Sequence, residues 1–223
     1  MPVRLDVLSD PICPWCYIGR QHMRTALAEL AGQGMRFTVA WRPFQLNPDM
    51  PAGGMPREDY RRAKFGSLER SRELDAQVAA AAEAAGLTIN FAAMHRTPNT
   101  LAAHRLIRFA GPAGLQDEVV GRLFQDYFVD GRDLGDAEVL ADAAAACGLD
   151  RPAVAEHLSG DTGSAEIRSE DQALRSAGIQ GVPTFVLDDH MLFSGAVPAP
   201  AFAERLGRAC RILEARQPRA AAN

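Results

Sequence analysis

Two cysteines separated by two residues, in Cys13-Pro14-Trp15-Cys16, are the side chains of this sequence best suited to chemistry. On a helix, residues three apart lie one above the other. Sulfurs at this spacing therefore reach bonding distance within one turn and can cycle between dithiol and disulfide. The pair stands where a strand pattern gives way to a helical one. A helix N-terminus leaves backbone amides unpaired and carries about half a positive charge, and both stabilise a thiolate in the first turn. The expected arrangement has Cys13 as the exposed nucleophile, its pKa lowered from about 8.5 to about 3.5–7.5. Cys16, deeper by one turn, would attack a mixed disulfide formed on Cys13. The competing chemistry is a zinc site, which needs two further ligands, usually as a second close Cys or His pair. Cys147 and Cys210 stand alone, each on an apolar helix face, and read as small buried hydrophobes. Thiol–disulfide exchange is the stronger reading of a CxxC in this context.

A second candidate is Gly181-Val182-Pro183-Thr184-Phe185. Proline is tolerated at the start of a strand. A cis bond here, a minority event among X–Pro bonds, would turn the Val182 backbone towards Cys13 and let an extended peptide pair with it. Trp15, between the two thiols, is either exposed for substrate contact or packed on the helix cap. His104 borders an apolar face, and a structural or an active-site-facing role is open to it. The basic run Arg57, Arg61, Arg62, Lys64, Arg70 and Arg72 is interleaved with Glu58, Asp59, Glu69 and Glu73, the pattern of a solvated helix surface.

The elements that must position these groups follow from periodicity. Val3, Leu5 and Val7 alternate with charged residues and predict a strand, broken at Ser9-Asp10-Pro11. Ile18, Met23, Leu27 and Leu30 predict a helix ending near Gly32 and Gly34. Phe37, Val39 and Trp41 predict a second strand, completing a βαβ unit. Asn47 to Pro56 reads as a loop, and a helical stretch then carries the stripe Leu74, Val78, Ala81 and Ala85. Asn99 is a candidate cap for a helix with Leu101, Arg105 and Phe109 on one face. Val119, Val120, Leu123, Phe124 and Tyr127 form the strongest apolar face, Asp136 can cap the next helix, and another is expected over Ser164 to Ala177. Val182 to Leu187 and Met191 to Phe193 form a hairpin around Asp188-Asp189-His190. A last helix buries Phe202, Leu206, Cys210 and Leu213, and the tail from Pro218 should fray.

Among 223 residues, 24 are basic and 28 acidic, for a net charge of −4; 47% are hydrophobic and 23% charged. The length gives room for a sizeable core. The charge speaks against nucleic-acid binding. No apolar run approaches the roughly 18 residues that cross a bilayer. The N-terminus lacks the apolar stretch of a secretory signal, so the expected location is cytoplasmic. Four cysteines are too few for a disulfide-stapled secreted scaffold.

Four stretches together resemble the DsbA family of oxidoreductases, and more narrowly its cytoplasmic FrnE-like branch. They are Ser9-Asp10-Pro11-Ile12-Cys13-Pro14-Trp15-Cys16, Trp41 to Pro48, Asn99 to Leu106, and Gly178 to Pro183. The resemblance covers about residues 3–213. It implies an α/β thioredoxin fold (βαβ…ββα) with an inserted all-helical domain. Residues 1–50 plus 178–223 would form the thioredoxin-like part and 51–177 the helical insertion. It also implies Cys13 as nucleophile and Cys16 as resolving thiol, with no organic cofactor. Pro14, Trp15, Val182 and a cis Pro183 would contact substrate, and Asn99 and His104 are candidates for facing the active site. Expected partners are disulfide-containing proteins or peptides, glutathione as a redox partner, and a second copy in a homodimer. The related 2-hydroxychromene-2-carboxylate isomerases and kappa-class glutathione transferases supply the alternative, a glutathione-dependent isomerase or transferase. They carry serine at the place of Cys13 and an acid after the last strand, where this chain has Ser194-Gly195-Ala196. A non-enzymatic alternative is a holdase-like protein whose helical domain offers an apolar groove to unfolded chains.

Overall fold

The computed structural model describes residues 2–216; the tail from Pro218 lies outside the described residues. Strand β1 (Val3–Ser9) leads through a short turn into helix α1 (Pro14–Gly32), which returns the chain to β2 (Phe37–Pro43). β1 and β2 pair in parallel, from Val3 opposite Phe37 to Ser9 opposite Pro43. Proline at the first position of α1 costs no hydrogen bond, because that amide has no partner within a helix. Gly34, at φ +86°, turns the chain out of α1.

The second half of the sheet comes from the far end of the sequence. β5 (Thr184–Leu187) runs antiparallel to β1, and β6 (His190–Ser194) folds back on it, for a strand order β2-β1-β5-β6. The two hairpin residues, Asp188 and Asp189, both take positive φ (47° and 63°). A two-residue turn needs that conformation to match the twist of its strands. Helix α9 (Ala199–Arg216) then packs against α1, and Phe202 meets Phe185 and Phe193 edge-on at 4.7 and 5.0 Å.

Between β2 and β5 lie α2 (Arg57–Phe65), α3 (Leu68–Ala84), α4 (Leu101–Phe109), α5 (Gln116–Phe128), α6 (Ala137–Ala146), α7 (Arg151–Ser159) and α8 (Ser164–Ser176). The helical stretch expected after Pro56 is two helices. Gly66 ends the first at φ +84°, and Ser67 caps the second by accepting the Arg70 amide at 3.1 Å. Asp136 caps α6 as expected, accepting the Glu138 amide. The segment expected to be loop ends in a two-residue strand, β3 (Met55–Pro56), paired with β4 (Arg96–Thr97). α7 buries only Val154 and Leu158, too few apolar positions to declare a period. The buried Arg105 of α4 donates to the carbonyls of His157 and Leu158 near the end of α7 and of Thr162 just beyond it.

A single buried cluster joins the sheet to these helices. It includes Leu5, Val7 and Phe185 on the strands and Leu106, Leu123, Phe124 and Val154 on the helices. Tyr17 of α1 stacks on Phe128 of α5 with centroids 5.4 Å apart and rings 4° from parallel. The helical layer is therefore anchored on the helix that begins at the cysteines.

Candidate active site

Cys13 occupies the N-cap of α1, its carbonyl accepting the amides of Cys16 and Tyr17 at 3.0 and 3.2 Å. Its own amide is fixed at 2.9 Å to the carbonyl of Asp10. The turn between β1 and α1 thus sets the thiol at the end of the strand. Both cysteines are free thiols. The Cys13 Sγ does not cap the helix; it donates to the Val182 carbonyl at 3.6 Å. The Val182–Pro183 peptide bond is cis. Around it, Thr184 Oγ1 donates to the Gly181 carbonyl at 2.8 Å, and the Gly195 amide donates to that of Pro183 at 2.8 Å. Pro183 itself packs on α1 at Gly19, where a Cβ would stand 2.8 Å from the proline ring.

One expectation is corrected here. Cys13 is not exposed: it retains 3% of its surface, and Cys16 retains 1%. Cys13 is part of the lining of a groove of about 350 Å³, which runs from Ile12, Cys13, Pro14, Trp15 and Val182 to residues of α2, α3 and α5. Trp15, between the two buried thiols, is exposed at 41%. Burial pushes the Cys16 thiol well above its ordinary pKa, reinforced by the Cys13 sulfur beside it, while contacts to Ser9 and Asp10 pull the other way. Cys147 is half-buried and Cys210 buried, and neither lines the groove.

A second correction concerns the basic run. Arg57 and Arg61 are not solvated: each side chain is 15% exposed, and both line the groove and pair with Asp75 of α3. Their spacing of four puts them on one face of α2, with Arg57 over the Phe91 ring at 5.3 Å and Arg61 over Phe65 at 4.4 Å. Arg62 and Arg70 do remain outside, in exposed pairs with Asp59 and Glu73.

In the sequence Asp10 reads as a strand-ending turn residue. It is fully buried, and its carboxylate collects the Leu46 amide at 2.6 Å, the Ile12 amide at 3.3 Å and the Thr100 hydroxyl at 3.5 Å. Those bonds tie together the cysteine turn, the loop after β2 and the start of α4. Burial outweighs them and raises its pKa from 3.8 to about 7. His104 Nε2 lies 3.9 Å from Asp10 Oδ1. Burial lowers its pKa from 6.5 to about 3, partly offset by a hydrogen bond to the Phe44 backbone. Because Nε2 has no partner, that bond is made by Nδ1, leaving Nε2 as a bare acceptor. His104 lines a different cavity, about 380 Å³, in the seam between β2 and helices α4, α5 and α8, together with Ser9 and Trp41. Asn99 also stands apart from the groove lining: its amide donates to the Met50 carbonyl at 2.6 Å and its oxygen accepts the Leu101 amide at 2.9 Å. Among the described residues no cluster of His, Cys, Asp and Glu is arranged to hold a metal ion, and no helix is long and apolar enough to cross a membrane.

Comparison with known proteins supports the fold. A model for the DSBA-like thioredoxin domain matches residues 4–207. The crystal structure of a probable DsbA oxidoreductase from Streptomyces coelicolor is similar with a TM-score of 0.84 at 30% identity, covering 99% of this chain and 94% of that one. The uncharacterized protein YwbO of Bacillus subtilis is 28% identical over 193 residues, 86% of this chain and 90% of its own length. The cytosolic disulfide reductase DsbM of Pseudomonas aeruginosa shares the fold, with a TM-score of 0.67 at 20% identity over 94% of this chain and 99% of its own. A structure of DsbM with GSH is likewise similar.

Proposed function

The chain belongs to the DSBA-like thioredoxin domain family, and from that membership we propose that it is a thiol–disulfide oxidoreductase with Cys13 as nucleophile and Cys16 as resolving thiol. The observation that carries the proposal is the placement of two free thiols one helical turn apart, the first facing a substrate-sized groove and the second sealed behind it. In the reducing direction the Cys13 thiolate attacks one sulfur of a disulfide, forming a mixed disulfide and expelling one thiolate. Cys16 then attacks the Cys13 sulfur and expels the second, and the two protons lost by the cysteines appear on the two product thiols. The reverse sequence oxidises a dithiol. Pro14, Trp15 and Val182 are the substrate contacts of this reading, Pro183 acts by seating the Val182 carbonyl, and Asn99 and His104 act behind the site. Glutathione is the redox partner we assign, in line with the GSH complex of DsbM, and the workplace is the cytoplasm, as for that reductase.

The test is the rate at which reduced protein cleaves bis(2-hydroxyethyl) disulfide, a neutral reagent. Cys13→Ser abolishes it, Cys16→Ser halts at a mixed disulfide visible as a mass increment, and Cys147→Ser leaves it unchanged. Undiminished cleavage by the Cys13→Ser variant would end the proposal.

A further inference from the structure

The burial of Cys13 limits what can reach it. Its access is the groove of about 350 Å³ beneath α2 and α3, at the small end of the roughly 300–1,000 Å³ typical of small-molecule pockets. A disulfide held in the surface of a folded protein is attached to a body far larger than this volume. A free disulfide with a few atoms on either side of its sulfurs fits within it.

The charge of the groove is uneven. Arg57, Arg61 and Lys64 line it with a single carboxylate, Asp75. That carboxylate is shared between the two guanidiniums. Lys64 is hydrogen-bonded only to neutral groups, Tyr60 Oη and Asn47 Oδ1. Three cations against one acid leave a net charge of about +2 along the groove, with Arg57 and Arg61 largely buried and Lys64 at its exposed rim, and a fixed charge in a cleft acts more strongly than one on an open surface. The uncharged walls are mostly apolar, Phe65, Met94 and Phe128 among them, and include the polar side chains of Gln77 and Thr97 and the phenols of Tyr60 and Tyr127.

Resting on the oxidoreductase reading above, we infer that the groove takes low-molecular-weight disulfides carrying carboxylates, with Arg61 and Lys64 selecting them over cationic disulfides and over disulfides of folded proteins. The exchange itself is R–S–S–R plus the two protein thiols giving two R–SH and the Cys13–Cys16 disulfide, so no further reactant is required. One carboxylate faces the cations of α2 while the sulfur it carries lies over Cys13.

Three disulfides of equal backbone length isolate the charge: dithiodipropionate, bis(2-hydroxyethyl) disulfide and cystamine. The rate constant for oxidation of the reduced protein by each is divided by that for oxidation of dithiothreitol by the same reagent, which removes intrinsic reactivity. The normalised rate for the dianion should exceed that for the dication by about tenfold at low ionic strength and converge on it at high salt. Lys64→Glu, an exposed position that tolerates exchange, and Arg61→Gln, checked by far-UV circular dichroism, should each bring the ratio towards one. Insulin, normalised in the same way, should fall below the dianion. Equal normalised rates for dianion and dication, a ratio unmoved by both substitutions, or insulin matching the dianion would each overturn the inference. If oxidation is Cys13-dependent but blind to charge, this inference fails alone; if Cys13→Ser leaves oxidation intact, the underlying reading fails with it.

Discussion

Asp10 and His104 should impose opposite pH dependences on stability, and removing either should unmask the other. Asp10 has its pKa raised from 3.8 to about 7 by burial. Between those values the folded protein holds a proton that the unfolded chain has released, so stability falls as pH rises, by about 4 kcal/mol across the window. His104 is lowered from 6.5 to about 3. Below 6.5 the unfolded chain gains a proton that the folded protein refuses, so stability falls as pH drops, by about 5 kcal/mol down to pH 3. From about pH 4 to 6.5 the two slopes cancel. Asp10→Asn keeps an oxygen for the Leu46 amide and removes the first slope. Relative to wild type, the variant should gain about 3 kcal/mol between pH 4 and 6.5 and level off about 4 kcal/mol higher above pH 7. His104→Gln should show the mirror image, losing ground to Asp10 as pH rises to about 7. Urea unfolding followed by far-UV circular dichroism at half-unit intervals from pH 4 to 8.5 reads both, and subtraction of wild type at each pH removes the other carboxylates. A difference curve for Asp10→Asn that is flat, or that falls with pH, would refute the reasoning.

Three further outcomes follow from single contacts. Burial raises the Cys16 thiol, so decay of a mixed disulfide preformed on Cys13 should quicken about tenfold per pH unit from pH 7 to beyond 9, in proportion to the thiolate; stopped-flow release of the leaving thiol measures it, and a plateau at neutral pH would contradict it. Gly19→Ala should lower stability by about 1 kcal/mol in urea unfolding and slow disulfide cleavage, because the new Cβ meets the Pro183 ring at 2.8 Å and overpacking of about 1–3 kcal/mol outweighs the helix preference of up to about 1 kcal/mol for alanine. Arg105→Met should cost about 3 kcal/mol or more, since the carbonyls of His157, Leu158 and Thr162 lose a charged donor in a buried place; hydrogen exchange of α7 should rise with it, and unchanged exchange there would contradict the assignment.

The elements around the cysteines are legible because their signals are local. Val3, Leu5 and Val7 alternate, Pro14 opens α1, Gly34 closes it, and Asp188-Asp189 turns the hairpin, each within a few residues of the structure it dictates. The break in the helical stretch at Gly66-Ser67 was equally local and could have been read: a glycine followed by a serine that caps the Arg70 amide is a stop and a start. Arg57, Arg61 and Phe65 at intervals of four were a readable face as well, hidden by the acidic residues among them. Only the inward turn of that face depends on a distant residue, Asp75.

The environment of the thiols had no local signal. Cys13 faces a groove whose other walls are α2 and α3, more than forty residues along the chain, and its sulfur meets Val182, 169 residues away. Asp10 is buried because Leu46 and Thr100, 36 and 90 residues away, close on it. A two-residue spacing between cysteines specifies what reaction is available, since it is fixed by the pitch of one helix. Under the proposed function, which disulfide reaches Cys13 depends instead on the charge and volume of a groove assembled from seven separate segments of the chain. The same division explains why His104 could be placed on a helix but not given a side: its Nδ1 finds the Phe44 backbone and its Nε2 faces Asp10 only once β2 and α4 have packed. Chemistry that resides in one helical turn can thus be inferred from a motif, whereas selectivity and proton affinity, being properties of long-range packing, require the folded chain.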